Sequence, residues 1–322
     1  MLNKIFTIFV VLFMFAGLFS ARGNADTQKI EIVTTLFPTY DFVRQVGKDK
    51  VNVTLLLPPG VEAHTFQPKP ADIVRINKAD IFIYTGKFFE PWVESLIKGV
   101  SNKNLVIIDA SQGIQLLENN NDGENGESIG HTEHGEQDEC FHKHLGKDPH
   151  IWLDLDNARV MVDTIAKGLA EKDQSNSGYY LNNAKEYNAL LAELDARFKS
   201  TLSACKYKTI IYGGHFTFGY FAKRYGLTYI SPYDGFSPNA EPSPKAIAEL
   251  IKKLRAVGMK CVYYEELLDP KVSRIIADET GAKILLLHGA HNVSKDDFKK
   301  GVTFLDIMED NLKNLKDGLE CE

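Results

Sequence analysis

The chain has 322 residues, of which 44% are hydrophobic, and a formal net charge of −6. That length and composition allow two ordinary apolar cores. The acidic balance argues against a nucleic-acid partner, since a phosphate-binding protein usually shows a basic face.

The chain opens on a targeting segment. Lys4 gives a short positive start, Ile5 to Phe19 is almost wholly apolar, and Ser20, Ala21, Gly23 and Ala25 are small. This is the layout of a secretory signal peptide over residues 1–25, with cleavage after Ala25 or Ala21. The alternative is an uncleaved anchor, for which the apolar run is short. The mature protein is expected to be exported, soluble and monomeric.

After that segment, Lys29–Thr35 alternates and is rich in β-branched residues, which predicts a strand. Pro38 opens a helix to about Gly47. Val51–Leu57 is a second strand, stopped by Pro58-Pro59-Gly60. A helix over Pro70–Lys78, a strand over Ala79–Thr85, a helix over Glu90–Gly99 and a strand over Leu105–Asp109 complete a run of parallel βα units.

Residues 118–147 differ in character. They hold eight acidic residues, several glycines, and His131, His134, His142 and His144. Such a composition cannot fill a core, so a polar surface loop is expected. Loops of this length are commonly functional or disordered. The histidines and acids suit weak zinc gathering, although a solvated linker with incidental histidines is the plainer alternative.

Two helices follow, over Asp156–Lys172 and Ser177–Ser203. The second has Tyr180, Tyr187, Leu190, Leu191, Leu194 and Phe198 near i+3 and i+4 spacing. It reads as a stiff connection about 40 Å long. The βα pattern then restarts, with strands over Lys208–Tyr212, Leu227–Ile230, Cys261–Tyr264 and Lys283–Leu287. Helices are expected over Phe218–Tyr225, Pro244–Val257, Lys271–Thr280 and Phe298–Leu319. The predicted fold is α/β: two parallel-sheet lobes, residues 26–175 and 204–322, joined by the helix at 176–203.

Four cysteines, at 140, 205, 261 and 321, fit an oxidising compartment but show no CxxC spacing. Cys205 and Cys261 each precede or begin a strand of one sheet, which favours that pair as a disulfide among the possible pairings.

Five histidines lie outside the acidic loop: His64, His150, His215, His288 and His291. His64, His215 and His288 follow strands, where open α/β sheets bind ligands. Two facing lobes would bring these strand ends into one cleft. One histidine beyond a strand is more often a hydrogen-bonded loop residue, but the joint pattern suits zinc, which takes about four such donors in a tetrahedron. Such a site should lose affinity as pH falls through about 6.5 and imidazoles protonate.

Five stretches carry a family resemblance: Leu57–Phe66 (LPPGVEAHTF), Asp148–Asp154 (DPHIWLD), Gly214–Tyr220 (GHFTFGY), Ala240–Pro244 (AEPSP) and Glu279–Lys283 (ETGAK). In this order they resemble the zinc- and manganese-binding solute-binding proteins of bacterial ABC transporters. The resemblance implies that His64, His150 and His215 are metal ligands. It also implies an extracytoplasmic or periplasmic protein that captures Zn2+ and passes it to a membrane permease. The chain departs from the family at the fourth ligand. Asp or Glu is usual after the last strand, whereas here the residues are Leu287-His288-Gly289-Ala290-His291. Position assigns the role to His288, with His291 and then Glu265 as alternatives.

An imidazole set suits Zn2+ better than Mn2+, which prefers oxygen. Asp154 and Glu62 are candidate acceptors for ring N–H groups, with a helix-terminal role as the competing reading of Asp154. The alternatives in function are a manganese-binding homologue, an adhesin-like lipoprotein relative and, less favoured, a zinc hydrolase. The chain lacks HExxH and places no general base by motif, so no enzyme is expected.

Overall fold

The computed structural model describes residues 29–118, 146–233, 236 and 241–322. The expected signal peptide and the histidines of the acidic loop therefore lie outside the described residues. Among those described, no helix is long and apolar enough to cross a membrane.

The first lobe is built on four parallel strands: β1 (Ile30–Thr34), β2 (Val51–Leu55), β3 (Ile81–Tyr84) and β4 (Val106–Asp109), in the order β2-β1-β3-β4. Helices α1 (Phe37–Gly47), α2 (Pro70–Lys78) and α3 (Val93–Lys98) connect them, and α4 (Leu155–Lys172) packs on the sheet. Pro38 and Pro70 stand in the first turns of their helices, where a missing N–H costs nothing. The apolar runs of β1 and β3 are buried on both faces, as a covered parallel sheet requires.

In the second lobe β5 (Thr209–Ile211) pairs with β6 (Thr228–Ile230), and β7 (Cys261–Tyr264) with β8 (Lys283–Leu286), all in parallel. A parallel bridge between Tyr212 and Tyr263 sets the two pairs side by side in the order β6-β5-β7-β8. This is the strand order of the first lobe over again. The helices here are α6 (Gly219–Tyr225), α7 (Pro244–Val257), α8 (Lys271–Thr280), α9 (Lys295–Lys300) and α10 (Phe304–Gly318).

The single closing helix expected over Phe298–Leu319 is thus two. Gly301 adopts φ 76° and ends α9 in the left-handed conformation. Thr303 and Asp306 then form a reciprocal capping box that starts α10.

Between the lobes runs α5 (Ser177–Ser203), 27 residues long. Its buried face, including Tyr180, Leu191, Leu194 and Phe198, belongs to an apolar core that continues from one lobe into the other. Two polar clusters reinforce the junction. The buried Asp41 carboxylate on α1 accepts from the Phe304 N–H of α10 at 2.9 Å and from Tyr187 of α5 at 3.4 Å. Arg224 of α6 grips Asp195 of α5 with two nitrogens at 2.6 and 2.7 Å, and reaches Asp154 and Asp156 at 2.8 Å each. Asp154 also caps α4 by accepting from the N–H groups of residues 156 and 157. Its helix-terminal role is the one observed.

The expected Cys205–Cys261 disulfide is corrected: Cys205 is bonded to Cys321, and Cys261 is a buried free thiol. The C-terminal residues return as an antiparallel bridge beside Cys205, a contact that strand positions alone do not reveal. Closing a loop between residues 116 apart in sequence restricts the unfolded chain by about 4–5 kcal/mol in the entropic account. Peptide mapping of the non-reduced protein is expected to yield a Cys205–Cys321 linked pair; a Cys205–Cys261 pair would contradict this arrangement.

Candidate metal centre

The carboxyl ends of both sheets point to one cleft, and four imidazoles meet there. His64 lies on the irregular segment after β2, His150 opens a short helical turn before α4, His215 follows β5, and His291 lies beyond β8. One nitrogen from each falls within 4.8 Å of the others. The Nε2–Nε2 separations are 3.1 Å for His64–His215, 3.4 Å for His64–His150 and 3.5 Å for His150–His215. Tetrahedral zinc with arms of about 2.0–2.1 Å needs ligand atoms roughly 3.3 Å apart.

Two of the four rings are held from behind by hydrogen bonds to carboxylates, and a third has a carboxylate close behind it without a hydrogen bond to its Nδ1. His150 Nδ1 lies 2.8 Å from Asp148 Oδ1, which also accepts the His150 backbone N–H at 3.0 Å. His215 Nδ1 is 2.8 Å from Glu265 Oε1, and the His215 N–H donates to Glu265 Oε2 at 3.2 Å. His291 Nδ1 is 2.9 Å from Glu266 Oε1. A ring that gives its Nδ1 proton to a carboxylate keeps the Nε2 lone pair for a metal and gains basicity. The Nε2 of His291 is buried with no hydrogen-bond partner among the described residues, as an imidazole aimed at a cation would be. On His215 the Thr217 hydroxyl lies 2.9 Å from Nε2.

His64 differs. It is the one half-buried member of the group, and no carboxylate meets its Nδ1 among the described residues. Glu62 holds its backbone instead, accepting the N–H groups of His64 at 2.7 Å and Thr65 at 2.8 Å. The expected ring acceptor is therefore a loop brace.

The structure brings His291 into the cluster with His64, His150 and His215, and leaves the expected fourth member, His288, outside it. The turn after β8 explains this. Ala290 adopts φ 58° and donates its N–H to His288 Nδ1 at 2.9 Å. That bond occupies the Nδ1 lone pair and leaves the neutral ring's proton on Nε2, so neither nitrogen is free to coordinate. The His288 backbone is also pinned to Asn311, which accepts its N–H and donates to its carbonyl at 2.8 Å each. Glu265, the third candidate, stands behind His215 rather than among the donors. Glu266 was missed by sequence reasoning; its signal was only its place directly after Glu265 at the end of β7.

Apolar rings enclose the cluster. Phe89 lies 4.6 Å from His64 between ring centroids, and Trp152 lies 5.6 Å from His150 and 5.5 Å from His291. Burial holds the His64 and His150 pKa values well below the usual imidazole value and lowers His215 to about 4. Burial likewise pushes Asp148 up to about 8, and burial with the adjacent Glu266 pushes Glu265 to about 8. Glu266 goes the other way: although burial alone would raise it, His288, His291 and the Gly289 N–H hold it low.

Comparisons with known proteins identify the family. A family model described as zinc-uptake complex component A, periplasmic (ZnuA), matches residues 32–318. The chain belongs to this zinc-uptake family. It is 37% identical over 302 residues to the high-affinity zinc uptake system protein ZnuA of Bacillus subtilis, covering 93% of this chain and 91% of that one. It is 32% identical over 289 residues to the zinc-binding protein AdcA of Streptococcus pyogenes, covering 89% of this chain but only 56% of that longer relative. The crystal structure of the Zn(II)-bound ZnuA-like domain of Streptococcus pneumoniae AdcA superposes with a TM-score of 0.74 at 29% identity, over 91% of this chain and 100% of that one. Family membership and the two-lobe architecture thus stand on independent findings.

Because burial lowers their pKa values, His64, His150 and His215 are expected to titrate below the ordinary imidazole value in the metal-free protein. Ring proton resonances followed by NMR should show no protonation of these three until the pH is well below 6.5, whereas titration at the ordinary imidazole value would contradict the burial described.

Proposed function

We propose that the protein captures Zn2+ outside the cytoplasm and delivers it to the permease of an ABC transporter, binding the ion through His64, His150, His215 and His291. The observation that carries this reading is the spacing of 3.1–3.5 Å between three Nε2 atoms from both lobes. It is the separation that the ligand atoms of a tetrahedral ion require.

The metal is cargo rather than a resident cofactor. Four nitrogen donors favour zinc over manganese, a harder ion that suits oxygen ligands. The donors themselves carry no charge, so the ion's double positive charge is met by Asp148, Glu265 and Glu266 one bond further out. A bound ion favours the ionised form of Asp148 and Glu265, so capture near neutral pH releases protons from them. His64, His150 and His215, held low by burial, have no ring proton to lose near neutral pH. The decline in affinity expected at about pH 6.5 from ordinary imidazoles therefore has a different source, the carboxylates, and begins at higher pH.

Four protein donors leave no open position for a substrate or an activated water, which supports transport over hydrolysis. The family's description as periplasmic supports export, with residues 1–25 as the signal peptide. In this division residues 26–175 form the first lobe, 176–203 the linking helix and 204–322 the second lobe, in a monomer.

Competition titration with a zinc chelator tests the ligand set. His291→Ala is expected to weaken zinc binding at least a hundredfold by removing a ligand, while His288→Ala stays within a few-fold of the parent. The reverse ranking would return the fourth role to His288. Unchanged tight binding in both would remove the site.

A further inference from the structure

The turn that carries His291 is tied to the opposite lobe as firmly as to its own. Within the second lobe, Gly289 N–H donates to Glu266 at 2.8 Å and His288 pairs with Asn311. Across the cleft, Trp152 Nε1 donates to the Gly289 carbonyl at 2.8 Å, and the Phe37 N–H reaches the His291 carbonyl at 3.3 Å. The Gly60 N–H donates to the Val293 carbonyl at 2.8 Å. At the centre of this set is Asn292, which is fully buried at 0% exposure. Its Nδ2 donates to the Pro58 carbonyl at 2.8 Å and to the Val61 carbonyl at 2.9 Å, while its Oδ1 accepts the Val293 N–H at 2.9 Å.

Both N–H groups of the Asn292 side chain are thus spent on fastening the two turns together, while its oxygen is satisfied within its own turn. Pro58 and Pro59 have no N–H, so this stretch of the first lobe offers mainly carbonyls to its surroundings. A primary amide, with two N–H groups on one nitrogen, is the side chain that satisfies two carbonyls at once. The turn it grips leads directly into Glu62 and His64, and the backbone it belongs to is next to His291. His64 is also the ring with no carboxylate behind it, so its position depends on its backbone.

We propose that Asn292 is a cross-cleft positioning residue that locks the His64 turn to the His291 turn, so that these two imidazoles join and leave the metal together and Asn292 sets the rate of zinc release. This rests on the zinc-capture reading and adds a mechanism for letting the ion go. The lobes share a core and a stiff linking helix, so release proceeds by unclipping one turn rather than by wide opening. The Asn292 clip is the contact that must break for the half-buried His64 to swing away.

The test measures zinc dissociation by stopped-flow transfer to an excess of chelator. Asn292→Asp keeps the shape but sets a carboxylate oxygen against two carbonyls. It is expected to raise the dissociation rate about tenfold to a hundredfold, the usual effect of losing an outer contact at a metal site, while the association rate changes little. In a His64→Ala background the same substitution should change dissociation less than about threefold, because the ring it positions is gone. An equal effect in both backgrounds would make Asn292 a merely structural residue, and no effect in the parent background would overturn the proposal outright. If the parent protein itself fails to bind zinc, the zinc-capture reading is what fails. Should the variant not fold, hydrogen exchange of the parent decides: zinc is expected to slow the Gly60 and Val293 amides together, and unlinked changes would overturn the clip.

Discussion

The structure depends on bringing four imidazoles from the two lobes face to face in one cleft. Neutral rings in an apolar pocket have little reason to meet unless something fixes their tautomers. Carboxylates do this for two of them, Asp148 behind His150 and Glu266 behind His291, while Glu265 stands 2.8 Å behind His215 and accepts its backbone N–H. Asp148 and Glu266 direct their rings' Nε2 inward, and all three supply negative charge close to the ion without touching it. Two of the three carboxylates come from adjacent residues at the end of β7, so one strand terminus orients half the site. The aromatic enclosure completes the arrangement by excluding water, which is also what holds the ring pKa values down.

The two lobes reach that cleft by the same route. Each uses a parallel sheet with the same strand order, and His64, His215 and His291 come from segments beyond the carboxyl ends of strands, while His150 comes from the turn before α4. They are not free to swing apart. A continuous apolar core, the α5 helix, the Arg224 cluster and the Asp41 contact to α10 all cross the junction. Motion is therefore directed to the irregular segments between strands and helices, where His64 and His291 lie.

Much of this was legible in the sequence because it rests on local pattern. The β-branched runs at 30–34 and 81–84, Pro58-Pro59-Gly60, and the unbroken helix from Ser177 to Ser203 all express backbone preferences that the fold keeps. Three of the four clustered histidines were readable from strand ends and motif order. What was not legible depends on contacts between distant residues. Cys321 pairs with Cys205 because the last residues fold back beside it. His291 replaces His288 because one residue, Ala290, takes a left-handed conformation and turns its N–H onto the His288 ring. The roles of Glu266, Trp152 and Asn292 arise only when the two lobes face each other, although Trp152 lies within the Asp148–Asp154 motif and Glu266 directly follows Glu265.

The central claim is an all-nitrogen site closed by His291. X-ray absorption spectroscopy of the zinc-loaded protein tests it most directly, by counting and typing the atoms bound to the metal. The account predicts four imidazole nitrogens at about 2.0–2.1 Å and no oxygen ligand. A carboxylate or water oxygen among the ligands, or only three imidazoles, would contradict it.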